Sequence, residues 1–281
     1  MSRGRLFVSL QHVLPQHGLS RLVLRATRAR APWLKNALIR QFLRLYDVDM
    51  SEAAQGDPYA FPSFNEFFTR ALREGARPIA AAPGSIASPV DGCISEAGAI
   101  RGDRLLQAKG RDYRLRDLLA RQPWADRFEN GSFVTVYLAP FNYHRVHMPV
   151  RGRLEDTVYV PGRLFSVNGT TAAHVPNLFA RNERVLTLFD TAFGRVALIL
   201  VGALNVGSMA TVWAGDITPA ARRAVTRIPA SATVLDRGEE LGRFNMGSTV
   251  IVLFEPGRAH LDPETRDGRA VRMGESLGSL A

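Results

Sequence analysis

Apolar residues recur at helical spacing in the first fifth of the chain. Leu34, Leu38 and Phe42, with Leu45 next, share one helical face, and Leu19, Leu22, Val23 and Leu24 form an earlier group. Pro15 and Pro32 interrupt this pattern, so it predicts short helices broken near those two positions. Gly56, Pro58 and Pro62 mark a connector. Residues 63–75 predict a short amphipathic helix, with Ser63 as its cap and Glu66 three residues later as in a capping box. After Pro78 the texture changes. Short apolar runs at 86–90, 133–138, 154–160, 185–189, 196–201, 209–212 and 250–254 are rich in Val, Ile, Phe and Thr and are bounded by Gly, Pro, Asp and Asn. They read as strands, with a helix over 114–121 among them. The expected fold class is α+β: a helical N-terminal part, residues 1–58, followed by a mostly antiparallel β body, residues 59–281.

Composition narrows the class without naming a function. Of 281 residues, 46% are hydrophobic and 22% charged, enough apolar material for a real core and an ordinary charge content for a globular chain. Cys93 is the single cysteine, so there is no internal disulfide and no zinc site built mainly from thiolates; a reducing compartment fits. The net charge of +10 is unevenly placed. Residues 1–50 hold nine basic and two acidic side chains, a net +7, and the rest of the chain carries only +3. Arginines interleaved with leucines are the pattern of helices that lie in a bilayer interface. They are equally the pattern of ordinary helices packed on a core with their arginines in solvent. No recognised nucleic-acid motif and little aromatic interleaving accompany the charge. The longest apolar run, residues 196–204, has nine residues, where a spanning helix needs roughly 20. The N-terminus also lacks the apolar stretch and cleavage site of a signal peptide. If the chain meets a membrane, the expectation is that it does so from the cytoplasmic side, as a peripheral protein.

Three places hold residues suited to chemistry. His144 and His147 stand three apart just after the apolar run 133–138, where they can bind a metal, act as bases or satisfy local hydrogen bonds. No helper motif for a metal is present, so no metal site is expected. Asp91 lies in Ser88-Pro89-Val90-Asp91-Gly92, which reads equally as simple turn chemistry. Met246-Gly247-Ser248-Thr249 precedes the strongly apolar run 250–254. A Gly-Ser bond in a tight bend is a common loop feature, and it is also what a self-cleaving serine needs, because glycine obstructs attack on its carbonyl least. Asp, His and Ser form a triad only by geometry, so spacing leaves the question open. His12, His17, His174 and His260 are given no role.

Taken together, these blocks resemble phosphatidylserine decarboxylase. The resemblance runs from about residue 64 to 254 and rests on motifs in the family's order. They include Phe64-Asn65-Glu66-Phe67-Phe68-Thr69-Arg70, Arg77-Pro78, the Asp91 turn, residues 107–110, Tyr143-His144-Arg145-Val146-His147-Met148-Pro149, residues 161–168, 178–184 and 201–208, and 242–250. Met246 replaces the family's usual leucine, a nearly isosteric swap. The resemblance implies that Ser248 cuts the chain after Gly247, with His147 as base and Asp91 orienting its ring. Residues 1–247 and 248–281 become separate chains, and Ser248 becomes a pyruvoyl group (a covalently held pyruvate cofactor) that forms a Schiff base with the substrate amine. His144 is implied in decarboxylation. The implied substrate is an amino-phospholipid, the partners are an anionic membrane surface and a second copy in a homodimer, and nucleic acid is not among them. Arg70 and Arg145 are candidates to hold the phosphate. Two rival readings leave the chain whole: a Ser/His/Asp hydrolase, which lacks the Gly-x-Ser-x-Gly elbow, and a non-catalytic phospholipid-binding protein.

Overall fold

The computed structural model describes residues 8, 9, 11, 12, 14–108, 110–204, 208–218, 224–229 and 232–281. Arg3, Arg5, Leu6, Phe7 and Leu10 of the basic start lie outside the described residues, as do Lys109 and residues 205–207 of the motif blocks.

Two helices follow the early prolines, α1 (Gln16–Arg28) and α2 (Pro32–Leu45). Pro32 sits in the first turn of α2, where a missing N–H leaves no bond unmade. Their packing reverses the usual amphipathic order. α1 turns Gln16, Ser20 and Thr27 toward the body, while Leu22 on α1 and Trp33 and Leu45 on α2 are 64%, 76% and 64% exposed. The Gln16 amide accepts from Leu164 N at 2.9 Å, and the His17 ring meets Gly162 O at 2.9 Å, so α1 is fixed to the body by polar contacts.

α2 does bury Ile39 and Phe42, against α3 (Phe64–Phe68). Phe42 meets Phe64, Phe67 and Phe68 edge-on at 5.5, 5.9 and 5.8 Å, a favoured aromatic geometry. Ser63 caps α3 as expected, accepting from Glu66 N at 3.2 Å. The helix ends at Phe68 and does not run on to residue 75. Thr69 Oγ1 folds back onto Asn65 O at 2.9 Å, Arg70 turns inward, and Leu72 bridges to Ala53. The helix expected over 114–121 is likewise a single turn, α4 (Leu115–Leu118), because Ala120 and Arg121 take left-handed φ of 49° and 55°. Two short helices, α5 (Gly169–His174) and α6 (Leu178–Arg181), complete the set used below.

Among the described residues the strands of the body pair antiparallel, and one isolated bridge, Arg163 with Asn182, is parallel. Its main strands are β1 (Gly92–Ala99), β2 (Ser132–Tyr137), β3 (Arg145–His147), β4 (Gly152–Val160), β5 (Arg184–Thr191), β6 (Gly194–Val201), β7 (Met209–Thr211), β8 (Glu240–Phe244) and β9 (Thr249–Phe254). A nine-stranded sheet has the order Thr226–Arg227, β4, β5, β6, β9, β2, β1, Ala270–Val271, with Val234–Leu235 also on β4. A four-stranded sheet holds Gly215–Asp216, β7, β8 and β3, and a three-stranded one holds Ser85–Ala87, Ser276–Leu280 and Ala259–Leu261. The expected strands all appear within a few residues, except that 86–90 stops at Ala87 and yields to the turn carrying Asp91. β1 went unpredicted because its sequence is mostly small and polar, although Gly92, Ile94 and Glu96 alternate into the interior.

β9 is buried along its whole length and pairs with β2 on one side and β6 on the other. A run of Thr, Val, Ile, Val, Leu and Phe suits a strand covered on both faces. The chain reaches β9 from β8 through residues 245–248 alone, so Gly247 and Ser248 lie where it crosses from the smaller sheet into the middle of the larger one. No helix among the described residues is long and apolar enough to cross a membrane.

Candidate active site

Ser248 is fully buried at the mouth of β9, and its carbonyl extends the ladder by accepting from Leu138 N at 2.8 Å. Its Oγ has no hydrogen-bond partner among the described residues. An unpaired buried hydroxyl costs stability and calls for an explanation. Beside it, the backbone of Gly247 passes so close to His144 that a Cβ at 247 would lie 3.1 Å from His144 Cε1, 3.3 Å from Leu138 O and 3.9 Å from His144 Nδ1. Any larger residue would have to push the imidazole away.

His144 is itself fully buried and stacks on Phe68 at 4.1 Å between ring centroids. Its Nε2 faces Pro140 O at 3.1 Å. A carbonyl only accepts, so Nε2 carries the proton and Nδ1 keeps a lone pair. That Nδ1 has no partner among the described residues. Burial pushes the His144 pKa down to about 3, against the small upward pull of the Pro140 carbonyl. The ring is therefore neutral at physiological pH, with an unused base atom beside Gly247.

His147, at the end of β3, faces elsewhere. Its Nδ1 lies 2.8 Å from Gly238 O and its Nε2 2.9 Å from Tyr143 Oη. The same logic puts the proton on Nδ1 and makes Nε2 the acceptor of the tyrosine hydroxyl. Burial lowers the His147 pKa, and the Asp91 charge works weakly in the opposite direction. Burial also raises that of Tyr143.

Asp91 lies in the turn before β1, six per cent exposed. Its carboxylate accepts from Arg77 Nε at 3.0 Å, Arg77 Nη2 at 2.6 Å and Met273 N at 2.8 Å. Arg77 also reaches Glu52 at 2.7 Å. Burial works to lower the Arg77 pKa, but hydrogen bonds and charge from Asp91 and Glu52 outweigh it and the net shift is upward. The Glu52 carboxyl is held below its ordinary range, first by the hydrogen bond from Arg77.

The structure thus gathers Asp91, His144, His147, Gly247 and Ser248 around one segment, residues 143–148, and divides them. His144 lies against Gly247. His147 and Asp91 lie near enough to feel each other's charge, and His147 N donates to Pro89 O at 2.8 Å in the Asp91 turn. Among the described residues no hydrogen bond joins Asp91 to His147 or His147 to Ser248. Tyr143, Arg77 and Glu52 are participants that sequence reasoning did not single out. Tyr143 and Arg77 stood inside the quoted motif blocks, but nothing marked them as partners. Arg145 is engaged by Thr69 O at 3.0 Å and Glu240 at 2.8 Å. Arg70 is buried over the Phe67 ring, and its Nη2 donates to Phe141 O at 3.4 Å.

A cavity of about 270 Å³ opens beside Gly247, between α2 and the end of the larger sheet. Phe42, Tyr46, Phe68, Leu138, Val167 and Met246 give it largely apolar walls, and neither Arg70 nor Arg145 borders it. A larger cavity of about 600 Å³, near Gly84, Arg151, Phe193 and Arg237, holds none of the candidate catalytic groups. A third, of about 410 Å³, is lined by Glu52, Arg70, Arg77, Asp91 and Tyr143; the first is set apart by reaching the backbone of Gly247.

The buried neutral His144 has a pH signature. Above pH 6.5 neither folded nor unfolded chain protonates it. Below that, the unfolded chain binds a proton that the folded one refuses until about pH 3. Stability therefore falls as pH drops through this window. Urea unfolding of the chain carrying Ser248→Ala, compared at pH 7 and 4.5, is expected to lose about 2 kcal/mol less when His144→Gln is added. An equal loss with and without His144 would contradict the assignment.

A family model described as phosphatidylserine decarboxylase matches residues 64–279, and a second, described as PSD, matches residues 6–47. The chain is 55% identical over 278 residues to a phosphatidylserine decarboxylase proenzyme of Methylococcus capsulatus, covering 98% of this chain and 96% of that one. It is 50% identical over 281 residues to a proenzyme of the same name from Alcanivorax borkumensis, covering 99% and 97%. A third, from Pseudomonas fluorescens, is 51% identical over 281 residues, covering 98% of each.

Proposed function

The chain belongs to the phosphatidylserine decarboxylase family, and on that premise we propose that it cuts itself between Gly247 and Ser248 and converts phosphatidylserine to phosphatidylethanolamine. The observation that carries the reading is the pair of buried, unpartnered atoms flanking one glycine: Ser248 Oγ on one side and His144 Nδ1 on the other. Both are costly to keep in an inert protein and both are useful to one that attacks its own backbone.

In this reading Ser248 Oγ attacks the Gly247 carbonyl and turns the peptide into an ester. His147 takes the hydroxyl proton, with Asp91 favouring the imidazolium through its charge. Nε2 is the only ring nitrogen with a lone pair, so the Tyr143 hydroxyl has to release it first. Arg77 and Met273 N hold the Asp91 carboxylate in place. Loss of the Ser248 α-proton then expels the Gly247 carboxylate and separates residues 1–247 from 248–281, and water hydrolyses the dehydroalanine left at 248, releasing ammonia and leaving the keto group. The residue at 248 fits a pyruvoyl group: it is fully buried and follows Gly247, which lies against the His144 imidazole and borders an apolar cavity. When present, that carbonyl supplies the electron sink for loss of the substrate carboxylate. His144 Nδ1, a lone-pair base at rest, takes a proton from the substrate ammonium and returns it to the substrate carbon after the carboxylate has left, and Phe68 fixes the plane of its ring. Phe42, Tyr46 and Met246 exclude water and receive the apolar part of the lipid.

The reading extends to the membrane. α1 and α2 present Leu22, Trp33 and Leu45 outward among exposed arginines, which suits a segment, residues 1–58, that docks on an anionic surface at the cytoplasmic face of the cell membrane. By resemblance, two processed units pair as a homodimer.

Activity is tested with purified chain and phosphatidylserine in detergent micelles, with phosphatidylethanolamine measured by mass spectrometry. The parent is expected to produce it. Ser248→Ala is expected to stay whole and inactive, and His144→Ala to be cut yet to lose at least about 100-fold in turnover, the scale of a positioned proton donor. Full turnover by His144→Ala would refute its role. Docking is tested by sedimentation with anionic vesicles. Binding is expected to fall steeply as salt rises, or when Leu22 and Trp33 are both replaced by serine. Binding indifferent to both treatments would refute the docking assignment.

A further inference from the structure

The link that carries the cut is pinned from a side that the mechanism above does not use. Asn245, two residues before Gly247, is three per cent exposed and is held at both backbone atoms: its N–H donates to Ser208 O at 2.9 Å, and its carbonyl accepts from Asn65 Nδ2 at 3.0 Å. Its side-chain amide donates to Ser208 Oγ at 2.6 Å and to Asp216 Oδ1 at 3.3 Å. Ser208, fully buried, donates its own hydroxyl to Asp216 Oδ1 at 3.0 Å. Arg28, in the last turn of α1, closes the chain with two bonds to the Asp216 carboxylate at 2.6 and 3.0 Å.

We propose that Asp216 is a positioning residue for self-cleavage, acting through Ser208 and Asn245 on the course of residues 245–248, and that Arg28 ties this device to the basic helix α1. The proposal rests on the self-cleavage reading above. The physical need is plain. β8 ends at Phe244 and β9 begins at Thr249, so the attacking hydroxyl and the carbonyl it attacks sit on a four-residue link between the two strands, joined to the β9 ladder only at its last residue. Attack needs near-contact geometry, and a small drift in the link removes it. His144 and Leu138 hold the far end. The amide of Asn245 holds the near end, and its two N–H bonds call for acceptors on one side, which Asp216 and Ser208 provide. Arg28 and Asp216 are each about two-fifths exposed, so as an ion pair they contribute little to stability. Their effect is orientational: the bidentate pair fixes the plane in which Oδ1 meets the other two donors. Burial alone would raise the Asp216 pKa, but the hydrogen bonds and charge of Arg28, helped by Ser208 and Asn245, bring it below its ordinary value. The acceptor therefore stays ionised through the physiological range.

The test follows cleavage of newly made full-length chain in a cell-free translation, pulse-labelled and chased, by denaturing electrophoresis. Asp216→Ala is expected to slow cleavage by about tenfold, the value of one well-placed charged hydrogen bond. Asn245→Asp sets a second carboxylate against Asp216 and is expected to slow it at least as much. Asp216→Asn keeps an oxygen for Ser208 and Asn245, so it is expected to stay within about threefold of the parent. Arg28→Ala is expected to slow the parent by no more than about threefold, and to have no further effect in the Asp216→Asn chain, where the bidentate pair is already broken. A purely structural role would make these effects additive and would lower the circular-dichroism melting temperature of each variant, measured with Ser248→Ala added. Cleavage at the parent rate in folded Asp216→Ala and Asn245→Asp chains would overturn the proposal while leaving self-cleavage intact. A parent chain that never cleaves would overturn both.

Discussion

Burial of β9 between β2 and β6 is the constraint on which the rest depends. Every residue of that strand is covered, and each pairs on both sides, so the strand has no freedom to shift its register without turning its apolar side chains out of place. The hydroxyl of Ser248 is placed by that fixity, since its own carbonyl is the next rung of the ladder. The same pairing accounts for how a chain cut at this point stays folded. The last 34 residues supply the centre of the large sheet, an edge of it at Ala270–Val271 and the middle strand of the three-stranded sheet. They are woven into the preceding 247 residues, and breaking one peptide bond removes none of those ladders.

Against this rigid strand the site keeps two kinds of buried polar group. Arg77 bridges the Asp91 and Glu52 carboxylates, and removing it would leave the buried Asp91 charge without a cation. Ser248 Oγ and His144 Nδ1 are left unsatisfied next to the one residue whose lack of a side chain permits close approach. The first group is a frame. The second is a store of reactivity, held in place because Phe68, clamped by Phe42 of α2, stacks on the imidazole. The helix that faces the lipid and the ring that faces the cut thus share one aromatic cluster.

Much of this was legible in the sequence where a local rule decided the outcome. Continuous apolar runs such as 196–201 and 250–254 announced strands covered on both faces, and the alternation of texture after Pro78 announced the change from helix to sheet. What could not be read was whatever tertiary contact decided. The helix from Ser63 stops early because Arg70 is drawn inward, a pull exerted by the body and not by its neighbours in sequence. The two histidines were visible as a pair, but three steps along an extended chain turn side chains to opposite sides. Only the fold shows His144 against Gly247 and His147 against Gly238 and Tyr143. Arg77 is fourteen residues from Asp91 in sequence and touches it through a turn, a connection that no spacing rule encodes. Leu45 was read on one face with Leu34, Leu38 and Phe42, yet it is 64% exposed, and the spacing did not reveal that polar Gln16, Ser20 and Thr27 would be the residues turned inward on α1.

Everything said of the site assumes that the bond between Gly247 and Ser248 is broken by the protein itself. Intact-mass measurement of the purified chain under denaturing conditions tests that most directly. The account predicts two species that meet between residues 247 and 248, the smaller of 34 residues and closed to N-terminal sequencing by a ketone. A single 30.9 kDa species that persists on long incubation would contradict it.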